Sequence, residues 1–317
     1  TPAAAAEGTS PSVTFTIHVG SGGEKPVLPD TTELVSTWKA SIQKYYEGSE
    51  PSWTYGMEWN IIALERAGID MGVDKEAYLA SVKEELADEY GDLTADGKPT
   101  DLERTALAMY ALGLDPRNIE MEDGSTVDLI QWILDSERIS EGTNEAAYAL
   151  LAVDANAVNI PEGSRWNRDT LMEELLSFQA DDGSFVLSKP VSGTGSIDMT
   201  AMSLQALSRY TDREDVQAAV DKALDYLKRN INMGDYGTVE SNDQVILTLL
   251  MLGIAPSDDD SGFTSWGANI FTATDEYRIE SGGFAHTKGG AVNEMATQQT
   301  LLAVAAWERF AAGENDI

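Results

Sequence analysis

The sequence predicts an all-α protein, an (α/α)6 toroid of six helical hairpins preceded by a short extended segment. Three observations carry this expectation. Six apolar helical segments recur at near-constant spacing, six one-sided amphipathic segments lie between them, and strand-like alternation is confined to one short stretch.

The apolar segments are Glu58–Gly68, Glu103–Gly113, Asn144–Asp154, Asp198–Ser208, Asp243–Gly253 and Asn293–Val304, and each begins with a carboxylate or its amide. Their starts are 45, 41, 54, 45 and 50 residues apart, the length of a helical hairpin with two loops. The amphipathic segments are Glu33–Tyr46, Asp74–Tyr90, Thr126–Glu137, Arg168–Gln179, Glu214–Asn230 and Thr264–Tyr277. In the fifth, Val216, Val220, Ala223, Leu224 and Leu227 share one face while Asp221, Lys222 and Asp225 lie elsewhere. One set is apolar almost all round and the other on one side only, as expected of an inner ring of helices buried by an outer ring. Closing the ring removes the exposed ends that an open solenoid must cap.

The exception to helical patterning is Val13–Val19, which alternates apolar and polar at period two. Residues 1–32 therefore read as a linker with one strand, the edge of a neighbouring β-domain. Residues 33–312 read as the toroid and 313–317 as a tail. The Ala-rich start Thr1–Ser10 reads as a mature or trimmed end whose export signal is missing.

Composition removes several functional classes. With 21 Lys and Arg against 54 Asp and Glu, the net charge of −33 argues against nucleic-acid and anionic-membrane partners. Solubility and halophilic adaptation both account for such acidity. No apolar run approaches the roughly 20 residues of a membrane-spanning helix, so membrane insertion by this segment is not expected. Cysteine is absent, which excludes disulfides, thiolate metal sites and a cysteine nucleophile. Only His18 and His286 remain for imidazole chemistry.

Three hairpins share a polar-x3-Gly-x-aromatic motif after the outer helix: Gln179 to Gly183 and Phe185, Asn230 to Gly234 and Tyr236, Arg278 to Gly282 and Phe284. The glycine is expected to take the left-handed turn that stops a helix, and the aromatic to fold back under the neighbouring hairpin. The polar residue has donors for the free carbonyls of a helix end.

These motifs resemble the Gln-x3-Gly-x-Trp repeats of the squalene cyclase and protein prenyltransferase superfamily, with Phe in place of Trp in the first copy. Residues 50–312 more closely resemble the prenyltransferase-like repeat domain of secreted surface proteins of gut bacteria, through Gly56–Gly68, Gly183–Tyr210 and Gly282–Phe310. The resemblance implies the toroid and a bacterial, extracellular or cell-surface location. Cobalamin carriers such as transcobalamin and intrinsic factor share the toroid, as do complement thioester domains.

Squalene-type cyclases protonate substrate with the central acid of an Asp-x-Asp-Asp-Thr-Ala segment, which Ser196-Ile-Asp198-Met-Thr200-Ala201 matches at Asp198 alone. Asp198 is the catalytic candidate by that resemblance, without its flanking acids. As a plain reading it begins a helix, where negative charge suits the helix dipole. The zinc site of protein prenyltransferases and the thioester crosslink both need cysteine and are excluded. Toroids also serve glycoside hydrolases and lyases, which pair carboxyls across a cleft. Here Glu58, Glu103, Asp198 and Asp243 are expected at one rim, since each reads as a helix start.

If the inner helices start on one face, the loops 183–196, 234–242 and 282–292 surround one mouth. The candidate binding residues are then Phe185, Lys189, Asp198, Tyr236, Phe284, His286 and Lys288. The aromatics read either as stacking groups for a sugar or corrinoid, or as wedges between hairpins. His286 reads as a ligand to cobalt or as a loop residue. Acid-rich loops at Asp181–Gly183 and Asp258–Gly262 suggest calcium or simply solvated turns. The leading expectation is a noncatalytic module binding a small molecule, glycan or protein at the mouth, with a cobalamin-like ligand or calcium as the possible cofactors. The alternatives are a carbohydrate-active enzyme and a degenerate terpene cyclase-like protein.

Overall fold

The computed structural model describes residues 28–49, 51–88, 91–265 and 267–314; the expected strand at Val13–Val19 and most of the linker lie outside them. The described chain is mostly helical. Its α-helices are α1 (Thr31–Ser49), α2 (Glu58–Ala67), α3 (Lys75–Ala87), α4 (Pro99–Ala111), α5 (Leu129–Asp135), α6 (Thr143–Asp154), α7 (Arg168–Leu176), α8 (Ile197–Leu207), α9 (Glu214–Asn230), α10 (Val239–Met251), α11 (Ile270–Asp275) and α12 (Glu294–Ala311).

Local chemistry sets many of the starts. Asp74, Asp128, Ser196, Thr238 and Asn293 each accept a backbone N–H of the first turn through the side chain. Asn167 with Thr170 and Asn269 with Thr272 form reciprocal caps. The ends of the even-numbered helices share a second device. Gly68, Gly113, Gly253 and Gly313 follow α2, α4, α10 and α12 with positive φ, and the next residue's N–H reaches back to a carbonyl five residues earlier.

Two expected starts need correcting. Glu103 and Asp243 do not begin helices but lie one turn inside α4 and α10. Pro99 stands in the first turn of α4, where its missing N–H costs nothing, and the Thr238 cap starts α10. Two outer helices are also shorter than expected. Thr126–Val127 pairs with Ile119–Glu120 and Thr264–Ser265 with Ala268–Asn269 as two-residue antiparallel ladders, so α5 and α11 begin only afterwards.

The even-numbered helices pack in a closed cycle of contacts: α2 on α4, α4 on α6, α6 on α8, α8 on α10, α10 on α12, and α12 back on α2. Odd-numbered helices each pack on one of them, α5 on α4, α7 on α6, α9 on α8, α11 on α10 and α1 on α12. Burial follows that division. Every residue of α10 from Val239 to Leu250 is buried, whereas α9 buries only the stripe Val216, Ala219, Val220, Ala223, Tyr226 and Leu227.

Candidate functional site

At the N-terminal ends of the even helices, the loops that sequence marks for binding are occupied by their own contacts. Phe185 and Phe284 are wholly buried and belong to the core, which corrects any role in stacking on a ligand. Their backbone N–H groups donate to Thr200 and Thr297 on the following even helices, at 3.0 Å each. Tyr236, half-buried, does the same to Asn242 at 2.8 Å, and its hydroxyl donates to the Leu227 carbonyl.

The motif glycines are placed by the next outer segment rather than by a helix end. A Cβ on Gly183 (φ +94°) would lie 2.3 Å from the Lys222 carbonyl oxygen of α9, and one on Gly234 (φ +80°) would lie 2.5 Å from that of Asn269. Since α7 ends at Leu176, Gly183 turns a tight hairpin instead of stopping a helix. Gln179 likewise donates forward, to the Ala219 carbonyl of α9 at 2.8 Å and to Gly183 at 3.1 Å.

The polar candidates are engaged too. Lys189 pairs with Glu174 at 2.6 Å and lies over the Phe178 ring. Lys288 bridges Asp235 and Glu276, each at 2.7 Å. Burial pushes the Asp235 carboxyl up, but Lys288, the Gly237 N–H and the Tyr277 and Asn242 side chains together hold it below the usual carboxylate range. His286 is 56% exposed and meets Glu240 at 2.8 Å through Nδ1, while its carbonyl accepts the Val239 N–H. Asp198 accepts the Ser241 hydroxyl at 2.7 Å.

The remaining acids of the expected rim do not converge on a cleft. Glu58 is 1% exposed and accepts from Arg104 Nε at 3.0 Å and the Gly56 N–H at 2.8 Å, with the Tyr78 hydroxyl at 3.3 Å. Glu103 is fully buried with neither carboxyl oxygen hydrogen-bonded. Burial, reinforced by Glu145 and Asp101, pushes its carboxyl well above the ordinary range. Asp243 is raised by burial too, against the Thr300 hydroxyl that donates to it at 2.7 Å and lowers it. No group of three or more His, Asp or Glu side chains suited to a metal is found among the described residues.

What the even helices do line is an open-ended cavity of about 490 Å³. Its lining follows the same step on five of them: Trp59, Ile62, Arg66 on α2; Tyr148, Leu151, Ala155 on and just after α6; Met202, Gln205, Arg209 from α8 onward; Gln244, Leu247, Met251 on α10; Met295, Gln298, Leu302 on α12. Leu107 and Tyr110 complete it from α4. The positions i, i+3 and i+7 stand above one another on a helix, so each of these helices presents one stripe to the cavity.

The walls are largely apolar and aromatic. Trp59 and Tyr148 meet with ring centroids 5.1 Å apart, although α2 and α6 are not neighbours in the cycle. One wall carries a run of amides: Gln205 Nε2 donates to Gln244 Oε1 at 2.8 Å, and Gln244 Nε2 to Gln299 Oε1 at 3.1 Å. At the C-terminal end of the helices the lining becomes polar, with Arg66, Asp154, Ser208 and Arg209. Asp154 accepts from Arg168 Nε at 2.7 Å and from the Tyr210 hydroxyl at 2.6 Å. Asp198 is not among the lining residues.

Sequence reasoning placed binding on the loops and missed these residues. The available signal was the second i, i+3, i+7 stripe in segments that are apolar almost all round. Comparison with known proteins adds no identity: no protein-family model matches the chain, and no curated protein matches it significantly.

Proposed function

We propose that the chain is a noncatalytic binding module, an (α/α)6 toroid whose axial cavity takes a small, largely apolar molecule. The closed cycle of even-helix contacts, sheathed by the odd helices, supports the ring. The observation that carries the binding reading is the matched stripe on five helices, completed by two residues of a sixth, around about 490 Å³, the size range of small-molecule sites. An ordinary core at this position would be filled with side chains. The sequence resemblance supports a bacterial extracellular or cell-surface setting.

Catalysis is less well supported. A glycoside hydrolase needs two carboxyls facing one sugar, yet Glu58 is held by Arg104, and Glu103 and Asp243 are sealed in the core. The apolar, aromatic cavity favours a terpene cyclase-like reading over a hydrolase, but Asp198 is turned to Ser241 and does not line it. The test is uptake of the neutral fluorophore N-phenyl-1-naphthylamine by the purified chain. We expect saturable binding in the parent and loss of it in Met202→Trp, which puts an indole into the cavity. No uptake by the parent, or equal uptake by the variant, overturns the reading.

A further inference from the structure

The cavity lining is divided by residue type. Its aromatic side chains come from α2, α4 and α6, as Trp59, Tyr110 and Tyr148. Its glutamines come from α8, α10 and α12, as Gln205, Gln244, Gln298 and Gln299. Each set sits on three helices that follow one another in the cycle of contacts. A molecule in the cavity therefore meets an aromatic wall on one flank and an amide wall on another.

The amide wall is a directed row. Gln205 Nε2 donates to Gln244 Oε1 at 2.8 Å and to the Thr248 hydroxyl at 3.2 Å, and Gln244 Nε2 donates to Gln299 Oε1 at 3.1 Å. A primary amide has two N–H donors and an oxygen with two lone pairs, so the row ends in donors at α12 and acceptor capacity at Gln205 Oε1. Gln298 adds to the donor end: it lines the cavity, is only 8% exposed, and its amide makes no hydrogen bond among the described residues. Amides this far from bulk water favour a ligand whose polar groups complete the row.

The rest of the lining narrows the class. Asp154 is held by Arg168 and the Tyr210 hydroxyl, and Arg66 and Arg209 have interactions of their own, so an ionic ligand would enter an apolar cavity whose charges are already matched. A sugar, with hydroxyls all round its ring, would leave some of them unbonded against Ile62, Leu107 and Leu151. An aliphatic chain would leave the amides unmatched.

We infer that the ligand is an uncharged, flat aromatic molecule with a carbonyl and a hydroxyl on one edge. Its apolar side packs on Trp59 and Tyr148, its carbonyl accepts from the amides of Gln298 and Gln299, and its hydroxyl donates to Gln205 Oε1. This rests on the binding reading above.

Equilibrium dialysis compares 6-hydroxyflavone, whose carbonyl and hydroxyl share one edge, with flavone and with 2-phenylnaphthalene, a similar shape without polar groups. The parent chain is expected to bind 6-hydroxyflavone at least fivefold more tightly than either. The double variant Gln298→Leu/Gln299→Leu should lose at least fivefold for 6-hydroxyflavone yet keep its affinity for 2-phenylnaphthalene, which also reports an intact cavity. Gln298→Leu alone breaks no hydrogen bond within the described chain, and should show a smaller loss in the same direction. Equal affinity of the parent for 6-hydroxyflavone and 2-phenylnaphthalene, or variants that bind 6-hydroxyflavone as the parent does, overturns the inference and leaves the cavity reading intact. Failure of N-phenyl-1-naphthylamine to bind the parent overturns the cavity reading instead.

Discussion

The two ends of the even helices are built from the same repeat but put to different uses. At the N-terminal end, long glycine-rich loops fold their aromatics inward and satisfy them with Thr200, Asn242 and Thr297, leaving Lys189 and Lys288 in ion pairs and His286 against Glu240. At the C-terminal end four of the six helices stop at a left-handed glycine, and the cavity lining becomes polar with two arginines. Conspicuous motifs therefore mark the end that holds the hairpins together. The cavity is written in residues that look like ordinary core. A loop rich in glycine and aromatics is evidence of function only when its aromatics lack a place in the core.

The largest expected effect breaks the N-terminal end. Gly183→Val places a branched side chain at φ +94° with its Cβ against the Lys222 carbonyl, so both the backbone and the packing of the Gly183 turn on α9 must yield. We expect a loss of at least ~3 kcal/mol, read from the midpoint of denaturant unfolding. Gly193 lies in the same loop with positive φ (+76°), but its Cβ would meet nothing within 4 Å. Gly193→Ala should cost only about 1 kcal/mol. Similar losses at the two positions would mean that the close approach to α9 contributes little.

A second contrast sets Glu58 against Glu103, both buried acids on the even helices. Glu58 has Arg104, the Gly56 N–H and the Tyr78 hydroxyl, while Glu103 has no hydrogen bond and a raised carboxyl. The unfolded chain releases the Glu103 proton in the ordinary carboxylate range, near pH 4, and the folded chain keeps it to higher pH. Above that range the folded state binds more protons than the unfolded one, so stability falls as pH rises until the folded-state value is passed. Glu103→Gln should remove up to about 1.4 kcal/mol per pH unit from the downward slope between pH 5 and 7. Asp243, raised in the same sense, retains its own part in the variant. Unfolding curves at pH 5, 6 and 7 decide it, and an identical slope in parent and variant would place an ionised Glu103 in the folded core.

The mostly helical class was legible in the sequence because the 47-residue spacing and the one-sided outer segments are set by burial. The exact span Glu214–Asn230 of α9 came from its single apolar stripe. Glu103 and Asp243 were misread as helix starts because a carboxylate ahead of an apolar run looks like a cap, and only the packing of α4 and α10 reveals that both sit a turn inside. The axial stripe escaped notice for a related reason. In Asp243–Gly253 nearly every position is apolar or amide, so periodicity alone does not tell the face that meets a neighbouring helix from the face that meets a cavity. The amides were the remaining clue, since Gln205, Gln244, Gln298 and Gln299 interrupt otherwise apolar segments.

The smallest expected effect concerns the C-terminal end and turns on one departure from its repeat. After α2, α4, α10 and α12 the left-handed position is glycine, but after α6 it is Ala157, at φ +46°. The hydrogen bonds are those of the glycine turns: Ala157 N–H reaches the Asp154 carbonyl and Val158 N–H the Val153 carbonyl, as Gly113 and Leu114 reach Tyr110 and Met109. Alanine there bears the steric cost of a left-handed backbone, on the order of 1 kcal/mol, which glycine relieves at the price of a more flexible unfolded chain. Ala157→Gly should therefore stabilise the protein by somewhat under ~1 kcal/mol, seen as a higher denaturation midpoint with an unchanged slope. The turn carries the Val153 and Val158 carbonyls that hold Arg168 against Asp154, so the same variant should leave N-phenyl-1-naphthylamine affinity unchanged if the turn only positions that pair. A stability gain accompanied by weaker binding would instead show that the strained turn shapes this end of the cavity, and the two ends would then differ in mobility as well as in chemistry.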